Sequence, residues 1–141
     1  MFSKSNLLAT LVGGIAMFVL GYVLWGMLGE SLNGDNVLTN VMKAEPDFIH
    51  LFLGCLISAF AMSTLYGKWA RGHHSAKEGA EFGIWFGVFV GLGIGLIYFA
   101  TSTMMNFTGH IIDAVLNIVY YLLVGVIIAL IYKATSKKSA S

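Results

Sequence analysis

The chain is poor in the features that soluble and secreted domains rely on. Its single cysteine, Cys55, excludes an intramolecular disulfide and leaves the redox compartment unreadable. Charged residues are 11% of the sequence, against roughly 25% in a soluble domain. The formal net charge of +1 gives no support for nucleic-acid binding, which needs a basic face. One proline against 17 glycines suits spanning helices, in which glycine is common. No nucleophile–base pair, phosphate loop or haem-type motif occurs, so neither an enzyme nor a cofactor is expected.

What is present is apolar sequence. Hydrophobic residues make up 57% of the 141 positions, and the mean hydropathy is +0.81. Four stretches, about 7–28, 48–66, 82–100 and 111–132, approach the ~20 residues that cross a bilayer core as a helix. Backbone left unpaired in lipid is costly, so the expected fold class is an all-α, four-helix transmembrane bundle in one domain, 1–141. The first stretch is too long for a signal-peptide core and lacks a convincing small-x-small cleavage site, so it reads as a retained helix.

Lysine and arginine give the orientation. Lys4, Lys68, Arg71, Lys77, Lys133, Lys137 and Lys138 fall on one side of four alternating helices, and only Lys43 on the other. Both termini and the middle loop are therefore expected in the cytoplasm, and a bacterial inner membrane is the expected location. Trp25 and Tyr98 would mark the outer interface, and Tyr66, Trp69, Trp85 and Tyr132 the inner one. Pro46 suits the first turn of helix two. The "NGDN" at 33–36 reads as a turn. Asn106-Phe107-Thr108 matches a glycosylation sequon, a pattern short enough to arise by chance. The tail "KATSKKSAS" reads as a frayed end.

Two patterns carry information beyond the spans. Gly79, Gly83, Gly87, Gly91 and Gly95 recur at every fourth position, a small-xxx-small stripe of the kind that brings helix backbones together in lipid. Cys55, Ala59, Ser63 and Gly67 of helix two share the spacing, and Gly14, Gly21, Gly125 and Ala129 are further partners. The stripe serves either packing within the bundle or a self-contact that builds an oligomer.

The second pattern is a pair of mirrored strings, "DFIH" at 47–50 and "HIID" at 110–113. Each puts an acid and a histidine on one helix face. Asn117 and Tyr121 continue the face of helix four; Gly54 and Ser58 continue that of helix two. If those faces meet, His50, Asp113, His110 and Asn117 line an outward-facing polar cleft, with Asp47 at its rim. The alternatives are helix-capping acids beside hydrated histidines and a metal site, which two histidines without a cysteine support poorly, so no metal is expected. His73 and His74 read as solvated loop residues. Tyr120 and Tyr121 need partners for their hydroxyls.

From about Gly83 onward, "IIDAVLNIVYYLLVGVIIAL" and the glycine-rich third helix resemble a bacterial family of small four-helix integral membrane proteins catalogued only as a domain of unknown function. Ile112-Asp113-Ala114, Gly125 and the looser "GYVLWGMLG" at 21–29 carry the likeness. It implies the four-helix fold and supplies no activity.

Two functions remain open. One is an oligomeric transporter or channel working through the cleft. The other is a structural or accessory subunit packed against another membrane protein. The partners expected are the lipid bilayer and either further copies of the chain or another membrane protein, and no nucleic acid.

Overall fold

The computed structural model describes the main chain over residues 2–139; in the last helix, side chains are described as far as Ser136. Four helices are long and apolar enough to span a membrane. We label them α1 (Lys4–Asn36), α2 (Phe48–Trp69), α3 (Ala76–Thr101) and α4 (Phe107–Ser139). They begin three to six residues earlier than hydropathy indicates, except α2, because polar caps extend them beyond the apolar stretch. Ser3 accepts a hydrogen bond from the Asn6 amide and Ser75 from that of Glu78, relieving amides that the first turn leaves unpaired. Asp47 does the same for α2, so Pro46 precedes the cap rather than entering the first turn. The tail does not fray at Lys133: α4 continues to Ser139. Ala140, Ser141 and the side chains of Lys137 and Lys138 lie outside the described residues.

Spatially the helices run α2, α1, α4, α3: α1 packs on α2 and α4, and α4 packs on α1 and α3. The α2 helix touches α4 and α3 only lightly. Thr135 near the end of α4 bonds Ser5 at the start of α1 (2.6 Å), so the first turn of α1 and the Thr135 turn of α4 lie at one end of the bundle.

The glycine stripe faces α4. A Cβ on Gly79 would run into the Gly125 carbonyl, and one on Gly83 into that of Tyr121. One on Gly87 would lie 2.5 Å from the Ile118 Cα, and one on Gly91 2.9 Å from that of Ala114. Gly125 answers from the other side against Gly79 and Gly83. Gly95 is a correction to the stripe, since a Cβ there would meet only its own helix, at 4.0 Å. The cause is the π-helical stretch Val88–Ile94. Its wider turn closes i→i+5 bonds, so a four-residue spacing no longer holds one face. The small residues of α2 face elsewhere: Ala59 lies against Gly13 of α1, and Gly67 against Tyr132 of α4. Gly21 has open space around it.

A second π-helical stretch, Tyr22–Gly29, interrupts α1. It widens the spacing of buried positions to five between Leu24 and Gly29 and brings Trp25 against α4.

The α1–α2 connection is pinned to the α3–α4 turn. The Leu38 amide donates to the Met104 carbonyl (2.8 Å) and the Asn106 amide to that of Asn36 (3.0 Å). Three asparagines close a ring. Asn106 Nδ2 donates to Asn36, Asn36 Nδ2 to Asn33, Asn33 Nδ2 to the Gly109 carbonyl, and the Gly109 amide back to Asn106. The sequon asparagine is thus part of a helix cap and a loop clasp.

At the other end, aromatic rings meet inside the bundle. Tyr66, Phe82 and Tyr132 are buried, so Tyr66 and Tyr132 do not serve as interface anchors, whereas Trp69, Trp85 and Tyr98 are exposed. The α2–α3 loop turns through left-handed Arg71 (φ 47°) and Gly72 (φ 87°). That turn folds His74 back over Tyr66 and Tyr132, with ring centroids 5.7 and 5.1 Å apart. His73 remains exposed, but His74 is half-buried, a correction to the solvated reading of the pair. Burial, and next the neighbouring His73, lower the His74 pKa below the ordinary histidine value. The unfolded chain therefore takes up this proton first. The contribution of His74 is complete above the ordinary value of about 6.5 and declines as pH falls below it. We expect a lower thermal midpoint at about pH 5.5 than at about pH 8, with the difference reduced in His74→Phe. A difference unchanged by that substitution would assign the effect to another group.

Candidate functional site

A cleft of about 240 Å³ separates α2 from α4 in the half of the bundle that carries the α1–α2 connection. It exists because α2 is held mainly by α1 and diverges from α4. His50, Leu51, Gly54, Cys55 and Ser58 of α2 form one wall, Tyr120 and Tyr121 of α4 the other, and Met17 of α1 the back. The α2 wall follows from sequence: positions 50, 54 and 58 lie one above another on a helix, and glycine at 54 leaves that wall without bulk. The Tyr120 hydroxyl donates to the Met17 carbonyl (3.2 Å), which fixes its ring against α1. Tyr121 packs against Phe86 of α3 with the ring planes tilted by 46°.

At the mouth, His50 Nδ1 lies 2.6 Å from Asp47 Oδ2, and the two side chains are 80% and 45% exposed. The His50 backbone amide, and after it the His50 ring, hold the Asp47 carboxyl below its ordinary pKa. The Asp47 carboxylate therefore carries charge at the exposed start of α2.

The other proposed members stand elsewhere. Asp113 points into the bundle, where its Oδ1 accepts from Trp25 Nε1 (2.7 Å) and its Oδ2 from Asn117 Nδ2 (3.0 Å). Lipid contact would leave that carboxylate without donors, which explains its inward turn. Asn117 also reaches the Asp113 carbonyl. His110 is buried against Phe99 of α3, and its Nε2 finds no hydrogen-bond partner among the described residues.

The five residues expected in one cleft are thus divided: Asp47 and His50 at the cleft mouth, Asp113 on the α1–α4 seam, Asn117 bonded to Asp113 with its Cβ against Gly91 of α3, and His110 beside α3. Helical spacing fixed which residues share a face of one helix. It could not fix which neighbour that face meets. The seam still adjoins the cleft, because the Trp25 ring stands 5.1 Å from that of Tyr120. Cys55, Met17 and Tyr120 were not expected in the cleft. The small residue at 54, one turn from His50, was the sequence feature nearest to revealing it.

Among the described residues, no group of three or more histidine, cysteine, aspartate or glutamate side chains could hold a metal ion.

Comparison with known proteins corrects one expectation. No family model, curated protein or solved structure matches the chain, so the resemblance to the four-helix family of unknown function is not upheld. Its basis was an acid early in a helix and glycines at the seams, which membrane bundles adopt for independent physical reasons. What stands is a largely hydrophobic four-helix bundle with spans long enough to cross a membrane.

Proposed function

We propose that the protein is a small transporter that admits an amphiphilic solute sideways into the cleft between α2 and α4. The observation that carries this reading is the pairing of a small-residue α2 wall with a tyrosine wall on α4, below a polar mouth formed by His50 and Asp47. An apolar body can lie along Met17, Leu51 and the tyrosine rings. A polar group can remain at the mouth, a division of labour usual in ligand pockets. In this reading both termini and the α2–α3 loop are cytoplasmic, as in a bacterial inner membrane, because Lys4, Lys68, Arg71, Lys77 and Lys133 gather at that end.

The second reading, an accessory or self-associating subunit, draws on the same divergence of α2. Gly54 and Ser58 are exposed on that helix, where a helix from another copy or another membrane protein would find small residues to pack against.

Cys55, the sole cysteine, lies in the cleft and reports on it directly. In sealed vesicles, a small impermeant thiol reagent added outside is expected to modify Cys55, and Tyr121→Trp to slow that reaction. In a Cys55→Ser background, Ser75→Cys should react only from the inside. Protection of Cys55 in the native assembly but not in the dispersed monomer would favour the subunit reading. Labelling of Ser75→Cys from outside would reverse the orientation.

A further inference from the structure

A second cavity, of about 260 Å³, lies at the opposite end of the bundle, where the start of α1 meets the ends of α2 and α4. It is lined by Ser3, Asn6, Thr64, Gly67, Lys68 and Tyr132, and donors predominate in that lining, with the Asn6 carboxamide oxygen as the exception. Asn6 donates from its backbone amide to Ser3 Oγ (3.2 Å) and from Nδ2 to Thr64 Oγ1 (3.0 Å). Both hydroxyls therefore already accept, and each retains a proton to donate. Tyr132 directs its own proton to the Ser63 carbonyl (3.0 Å). Lys68 follows Thr64 by one helical turn on the same face and brings an ammonium with three donors. Among the described residues no carboxylate lies within ion-pair distance of Lys68, and no acid lines the cavity.

We infer that this cavity binds a phosphate group, supplied by an anionic lipid headgroup of the adjoining leaflet or by free phosphate. Phosphate oxygens only accept, and an ammonium beside two hydroxyl donors matches them through charge-assisted bonds. The position also suits a headgroup. The cavity sits where two spanning helices end, the level at which basic pockets between helices meet lipid phosphates. It is separate from the cleft and holds whichever leaflet that end occupies.

The test uses the full chain in a neutral detergent, with thermal midpoint followed against three probes: dihexanoyl phosphatidylglycerol, dihexanoyl phosphatidylcholine and inorganic phosphate. Phosphatidylglycerol is expected to raise the midpoint more than phosphatidylcholine does, by mass action on the folded state. Lys68→Gln should raise the concentration giving half of that shift about tenfold, the scale of one charge-assisted bond. Thr64→Val should weaken it in the same direction, and Lys133→Gln, outside the cavity, should leave it unchanged. A response to inorganic phosphate equal to that of phosphatidylglycerol assigns the site to the free ion. A much weaker one assigns it to the lipid. Equal responses to the two lipids, or equal losses in Lys68→Gln and Lys133→Gln, overturn the inference.

Discussion

Gly83→Ala is expected to destabilise the bundle by about 3 kcal/mol, the upper part of the range for inserting a methyl into a closed contact. The methyl would run into the Tyr121 carbonyl and lie 2.8 Å from the Leu122 Cα. Both are main-chain atoms of α4, so no rotamer change makes room, and α3 must move as a unit. Gly95→Ala provides the contrast. Nothing closer than 4.0 Å opposes its methyl, and alanine favours the helix by about 1 kcal/mol. Unfolding of both variants in mild detergent, read beside the parent, should show a large loss for the first and none for the second. Equal midpoints would mean that α3 and α4 are not held together at this level.

Asp113→Ala is expected to cost about 2 kcal/mol, because the Trp25 indole loses its acceptor inside the bundle. Hydrogen bonds between membrane helices have often measured weaker than that, so a double-mutant cycle is the informative form. Asn117 retains the Asp113 backbone carbonyl at 2.9 Å, whereas Trp25 Nε1 has no second acceptor among the described residues. Trp25→Phe and Asp113→Ala should therefore be less than additive. Asp113→Asn should be milder, since one side-chain oxygen remains to receive the indole. Strict additivity of the pair would show that the 2.7 Å bond contributes nothing to stability.

Much of the architecture could be read from the sequence, because lipid makes its rules local. Apolar length locates a spanning helix, and glycine at every fourth position marks a close backbone contact from Gly79 to Gly91. The pattern failed at Gly95 for a backbone reason: a π-helical stretch alters the turn without any residue type that announces it. The inward turn of Asp113 follows from the cost of a carboxylate in lipid, but its Trp25 donor does not, because that bond joins residues 88 apart in the chain. His74 read as a loop residue because its neighbours are polar. Its cover over Tyr66 and Tyr132 depends on the left-handed turn at Arg71 and Gly72. The cleft was half legible, its α2 face marked by His50, Gly54 and Ser58, while its α4 wall depended on the order in which four helices pack.

That order also bears on how the chain is made. The α1 helix lies between α2, which leaves the ribosome next, and α4, the last of these four to leave it. Its Asn6 can find Thr64 as soon as the first hairpin inserts. Its Trp25 must wait for Asp113, and at roughly 5–20 residues per second 88 residues take on the order of ten seconds. During that interval the α1 face destined for α4 has only lipid, or an attending insertion factor, against it. The first hairpin is therefore made before α4 exists, and the arrival of α4 is the step that closes the α1–α4 seam.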